Sequence, residues 1–204
     1  MSLRRKPNRR VLLIACAAAT AVAAALIVAL SGGGHSKATA ASEARLAAND
    51  PMFVAGTSAA FRYLAAQSSN RCELEPRSLL QMANKGRLQG SCCSPMDLAA
   101  YQSQVRGLRA YRDIVQIPRD PYDIPVSLAK RLLSYDRTIT LSAAQSRTLR
   151  RAVKMSREHR FCCCGCWRWY GNRGLSKYLI AHKGWRASRV ARVIGLFQGC
   201  GGAV

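Results

Sequence analysis

Acidic residues are scarce in this chain. Its 204 residues include 10 Asp and Glu against 32 Lys and Arg, a net charge of +22. Histidine is rarer still, at three. No carboxylate pair suited to general acid–base work stands out, nor a Ser/His/Asp set, nor a phosphate-cradling loop. The sequence therefore offers no hydrolase or transferase constellation. Strand-length runs of alternating apolar and polar residues are also missing, and no segment repeats. The expected fold class is all-α, a small helical domain.

Cysteine is plentiful instead, with nine in all. Four crowd into five positions of Phe161-Cys162-Cys163-Cys164-Gly165-Cys166-Trp167-Arg168-Trp169-Tyr170. A packed core does not need thiols at that density, because Val or Ala fills space without redox liability. Such crowding points to metal, disulfide or redox chemistry. Ser91-Cys92-Cys93-Ser94-Pro95 supplies a second pair, and Cys72 and Cys200 stand alone. Setting aside Cys16 in an apolar run, eight cysteines remain. That even number fits disulfides, two four-ligand metal sites, or one site plus two bridges.

The N-terminus reads separately. Arg4, Arg5, Lys6, Arg9 and Arg10 precede an uncharged run from Val11 to Leu30. At about 1.5 Å per residue that run spans roughly 30 Å, one bilayer core. The basic head keeps the N-terminus cytoplasmic and sends the rest across. The expected organisation is a head and membrane or signal helix over 1–30, a small polar linker over 31–50, and an extracytoplasmic cysteine-rich domain over 51–204. The run reads as an uncleaved single-pass anchor, with Ala38-Thr39-Ala40 as the alternative cleavage site giving an exported form. Asn8-Arg9-Arg10-Val11 also has the look of a twin-arginine signal. The basic surface either rests on anionic lipid or is simply solvated, and nucleic acid is not an expected partner.

Within the domain, apolar spacing predicts helices. They cover Phe53 to Gln67, a helix capped by Ser94 with Pro95 first and running to Asp113–Val115, and Val126 to Tyr135. A longer helix follows from Thr140 or Ser142 to about Glu158, then Asn172 to His182 and Ala187 to Leu196. Leu98, Tyr101, Val105, Leu108 and Val115 form one buried stripe. Leu141, Ala144, Thr148, Ala152 and Met155 form another. Pro118, Pro121 and Pro125 stiffen the intervening loop, and Gly184 ends a helix. Both cysteine clusters then precede helices, where the positive helix end and nearby arginines favour thiolate.

Cys162-Cys163-Cys164-Gly165-Cys166 resembles the motif of exported prokaryotic proteins known for a PCYCGC signature. Cys162, Cys164, Gly165 and Cys166 match it; Cys163 stands for its Tyr and Phe161 for its Pro. The chain is also similar to a group of exported proteins of unestablished function. These combine a CC-S-P segment, a DPYDIP loop, a CCC-x-CWRW motif and a terminal CGG, here Cys92 to Pro95, Asp120 to Pro125, Cys162 to Trp169, and Cys200 to Gly202. The resemblance spans most of the chain after Cys92. It implies export and a shared cysteine pattern, and carries no activity.

Three chemistries fit the thiols. The first is a soft-metal site for Cu(I) or Zn built from Cys92, Cys93, Cys162, Cys163, Cys164 and Cys166, with His159 or Met96 nearby. Cys164 to Cys166 is a C-x-C and Cys163 to Cys166 a C-x-x-C, although zinc-ribbon spacing is absent. An iron–sulfur cluster would be exposed to oxidation outside the cell. A c-type haem is disfavoured because Trp167, not His, follows the C-x-x-C. The second is thiol–disulfide exchange, with Cys92 and Cys93 as partner pair. The third is a set of purely structural disulfides. Trp167, Trp169 and Trp185 read as core or as a shield around the thiols, and His35 and His182 as non-ligands.

Overall fold

A computed structural model describes residues 53–201. The apolar run at 11–30, the boundaries expected at 30 and 50, and Ala40 lie outside the described residues. Among the described residues, seven α-helices dominate: α1 (Ser58–Ala65), α2 (Pro76–Gln81), α3 (Leu98–Leu108), α4 (Val126–Thr138), α5 (Ala143–Met155), α6 (Trp167–Lys183) and α7 (Ala187–Leu196). The domain is mostly α. One feature departs from all-α: β1 (Arg87–Gln89) and β2 (Asp123–Pro125) pair antiparallel, with Leu88 opposite Ile124. Each strand has three residues, too few for a period of two to show in the sequence. Among the described residues no helix is long and apolar enough to cross a membrane.

Local chemistry sets the helix ends. Thr57 caps α1 by accepting from Ala60 N. Ser142 and Gln145 form a reciprocal capping box at α5. Gly184 ends α6 in the left-handed conformation, φ 63°. The predicted Ser94 cap is corrected to Asp97, whose carboxylate accepts from Ala100 N at 2.8 Å. Ser94 is occupied elsewhere: its N and its Oγ both donate to Cys200 O at 2.8 Å. The α3 stripe is inward as expected at Tyr101, Val105 and Leu108, and the helix closes in a 3₁₀ turn at Arg109–Tyr111. The α5 stripe is rotated from the expected one. Met155 is 55% exposed and Ala144 lies outward, while Leu149, Ala152 and Val153 pack inward. Leu and Val carry more apolar area than Ala and Thr, so they choose the face.

Packing centres on α4 against α6, with α5 laid on α7. Leu132, Leu175, Leu179, Val190 and Ile194 are wholly buried there. Full burial of one such side chain is worth about 1.5–3 kcal/mol. Buried Asp136 on α4 accepts from Arg173 Nη2 of α6 at 2.6 Å and approaches Lys177 Nζ at 3.7 Å, which fixes the pair in register. A smaller apolar group joins α1 and α3 through Ala60, Leu64, Tyr101, Val105 and Tyr122. Together these elements bring the N-terminal end of α6 against three loops, and each of those loops carries cysteine.

Candidate metal centre

The segment 161–166 is tied down at both ends. Asn172 Nδ2 donates to Phe161 O at 2.9 Å, and Phe161 packs edge-on against Trp169 with centroids 5.5 Å apart. Cys166 is the N-cap of α6, so that helix starts five residues before the expected Asn172. The chain from Cys162 to Gly165 is thereby folded back over the positive end of a 17-residue helix.

Three further loops meet it. Cys92 N donates to Gly199 O at 2.8 Å, beside the two bonds from Ser94 to Cys200 O. This short extended pairing sets Cys200 alongside Cys92 and Cys93. It depends on two glycines. Gly201 has φ +75°, and a Cβ there would strike the Ser94 carbonyl. A Cβ on Gly199 would strike the Arg168 guanidinium. The fourth loop carries Cys72. Asn70 Nδ2 donates to Gly90 O at 2.9 Å, Trp167 Nε1 donates to Asn70 Oδ1 at 3.0 Å, and Trp167 N donates to Leu74 O at 2.9 Å. Trp167 thus anchors the loop around Cys72 to the start of α6. Its indole is fully buried, in keeping with the core role expected of it.

The sulfurs converge. Cys93 Sγ lies 3.0 Å from Cys163, 3.4 Å from Cys72, 3.4 Å from Cys92 and 3.9 Å from Cys164. Cys200 Sγ lies 3.1 Å from Cys163 and 3.7 Å from Cys162, and Cys162 is 4.0 Å from Cys164. Three groups have all their sulfurs within 4.8 Å of one another: Cys92, Cys162, Cys163 and Cys200; Cys92, Cys93, Cys163 and Cys164; Cys162, Cys164 and Cys166. All eight described cysteines are free thiols. Cys92, Cys162 and Cys166 are buried, Cys93 and Cys163 face solvent, and the rest are half-buried.

The six cysteines singled out from the sequence, Cys92, Cys93, Cys162, Cys163, Cys164 and Cys166, are therefore brought together. Cys200, and Cys72 at the edge beside Cys93, belong with them and were not singled out. Isolated cysteines carry no spacing signal; only the even count of eight hinted at them. His159 and Met96 do not join the groups. His159 is exposed, with Nδ1 on Lys154 O at 2.8 Å, and Met96 packs against the α1–α3 apolar group.

The electrostatics are those of a site that stores negative charge. Hydrogen bonds from the Cys162 and Cys92 thiols hold Cys166 down to about 2 and also lower Cys200. The donors move the other way. Cys92 is raised by its hydrogen bonds to Cys162, Cys166 and Cys200, and Cys162 by those to Cys166 and Cys200. Burial pushes Cys164 up to about 11 and raises Cys93 and Cys163. The thiols at the start of α6 and in the C-terminal loop are thus shifted down and their neighbours up.

A cation waits beside them. Arg168 is wholly buried, donating from Nη1 to Phe197 O and from Nη2 to Pro121 O, each at 2.9 Å. Its Nε has no hydrogen-bond partner, and no carboxylate among the described residues forms an ion pair with it. Cys92 is raised by its thiol hydrogen bonds and by burial, and the Arg168 charge opposes that rise. A buried cation without a carboxylate is costly; the rings of Trp167 and Phe197 at 5.1 and 5.2 Å offset part of that cost, and the Cys92 sulfur lies within its field. On the outer side, a cleft of about 860 Å³ reaches Cys163 and Cys200 between Gln104, Met155, Arg157 and Arg192. The chain matches no known family model, no curated protein and no solved structure.

Proposed function

We propose that this protein binds a soft metal ion, Cu(I) or Zn, through its clustered thiolates. The observation that carries this reading is the set of three overlapping sulfur groups, each within 4.8 Å. A tetrahedral ion with bonds of about 2.3 Å to sulfur needs its ligands about 3.8 Å apart, and the spacings within the groups run from 3.0 Å to no more than 4.8 Å, a span that brackets that value. Thiolate-only surroundings favour Cu(I) and Zn over hard ions. The arrangement speaks against a structural disulfide framework. Such a framework gives each cysteine one partner, whereas Cys93 has four sulfurs within 3.9 Å. Thiol–disulfide exchange needs one attacking thiol and one resolving thiol, and Cys93, with four sulfurs within 3.9 Å, has no single partner to resolve it.

The test is direct. Purify the full chain anaerobically, measure metal by elemental analysis, and count reactive thiols before and after chelation. Bound metal with thiols that become reactive on its removal supports the reading. No metal, with thiols appearing only after reduction, means disulfides; a single easily reduced bridge means exchange. We also propose that the site works outside the cytoplasm, behind the segment 11–30. The basic head and uncharged run support this. A reporter active only in the cytoplasm, fused after Val204, should stay silent; a strong signal would refute the placement.

A further inference from the structure

The groups share members, and the sharing has a definite pattern. Cys92 and Cys163 belong to both four-sulfur groups. Cys162 links the first to the three-sulfur group, and Cys164 links the second to it. Seven sulfurs thus fill the eleven ligand positions of three sites, and every pair of sites has at least one sulfur in common. A single four-coordinate centre would leave three of these seven thiols without a ligand role. From this overlap we infer that the protein holds a polynuclear Cu(I)–thiolate cluster, three ions bridged by Cys92, Cys163, Cys162 and Cys164. The inference rests on the soft-metal reading and goes beyond it in nuclearity and in the choice of ion.

The choice of Cu(I) follows from the shared edge. Two regular tetrahedra that share Cys92 and Cys163 put their centres about 2.7 Å apart when the metal–sulfur bond is about 2.3 Å. Two divalent ions at that distance repel four times as strongly as two monovalent ones, since the energy scales with the product of charges. Cu(I) also accepts three sulfurs as readily as four, which suits the group of Cys162, Cys164 and Cys166. Buried Arg168 and the positive end of α6 offset part of the excess negative charge.

Bridging has a thermodynamic consequence. Each thiol that binds gives its proton to solvent, and no electrons move. The first ion deprotonates and orders sulfurs that its neighbours also need. The next ions then meet a smaller cost, so uptake is cooperative. The exposed Cys163 and the half-buried Cys200 at the end of the cleft leave a route for entry.

The experiment is an anaerobic titration of the full chain with Cu(I), buffered by a competing chelator and read by native mass spectrometry and by the emission of clustered Cu(I) thiolates. The expected result is three ions per chain, taken up together so that the singly loaded form stays minor, with emission growing in step. One ion per chain overturns the cluster and leaves soft-metal binding standing. No ion overturns both. Independent, stepwise filling without emission also overturns the bridged arrangement. The double variant Cys92→Ser/Cys163→Ser removes both bridges between the four-sulfur groups and should keep one ion. Should it fail to fold, Cys163→Ser alone, at an exposed position, should weaken joint uptake at least tenfold. A double variant that still loads three together, or a Cys163→Ser chain that loads like the parent, contradicts the assignment.

Discussion

The α4–α6 core and the sulfur end hold together by different means. In the core, Leu132, Leu175, Leu179 and Ile194 are wholly buried on long helices, and the Asp136 ion pairs fix the register. At the sulfur end, four loops contribute residues 72, 92–93, 162–166 and 200, joined by hydrogen bonds such as Cys92 N to Gly199 O and Asn70 Nδ2 to Gly90 O. The core carries its own stabilisation. The sulfur end brings several titratable thiols into contact, with Trp167 and Phe161 as its buried apolar side chains. A bound ion is what would make that end rigid.

This contrast is broken most severely by removing metal. Chelation should expose the thiols around Cys93 and Cys163 to alkylation and raise amide exchange in the loops at 90–94 and 161–166. Helical circular dichroism should change little. Loss of most helix on chelation would show that the two regions are not separable. The reverse perturbation is Leu132→Ala, which empties a fully buried site between α4 and α6. It should cost about 3 kcal/mol in denaturant unfolding while metal stoichiometry is kept.

Asp120 tests the apolar side through pH. It is 1% exposed, accepts from Tyr101 Oη at 2.6 Å and from Tyr122 N at 2.8 Å, and burial pushes it up to about 6 from 3.8. A carboxyl raised in the folded state contributes stability that is full below about pH 4 and is lost as pH rises through about 6. At about 1.4 kcal/mol per unit this amounts to about 3 kcal/mol. Unfolding of the metal-free chain across pH 4 to 7 should show that loss, and Asp120→Asn should flatten it.

Smaller effects are expected in the supports of the sulfur end. Gly201→Ala forces a Cβ against the Ser94 carbonyl and shifts Cys200. Supports of this kind are worth about 10–100-fold in metal affinity, which competition with a chelator would measure. Arg168→Met should weaken binding by about tenfold, on the order of 1.4 kcal/mol. Without that cation thiolates form less readily, so protons compete better and the pH of half-release should move upward. Arg168→Lys should recover part of the shift. An unchanged release pH would show that Arg168 is only a packing residue.

Much of this was legible in the sequence, and the gaps have causes. Helix periodicity located α3, α4 and α7 because each buries one apolar face of sufficient length. Thr140 or Ser142 was the expected start of α5, and Ser142 is its N-cap. The Ser94 cap misled because its local pattern was right while a long-range pairing with Cys200 had claimed the residue. The β1–β2 ribbon and the six-residue α2 are too short to leave a period. Crowding identified Cys162 to Cys166 and Cys92 to Cys93. It could not identify Cys72 or Cys200, whose approach is set by Asn70, Trp167 and the backbone at Gly199, all tertiary contacts.

The most direct measurement is X-ray absorption at the metal edge of the Cu(I)-loaded full chain. The expected result is a first shell of sulfur alone at about 2.3 Å, with a second feature from neighbouring metal at about 2.7 Å. A first shell containing nitrogen or oxygen, or a chain that retains no metal, would contradict the assignment of the clustered cysteines as a thiolate metal centre.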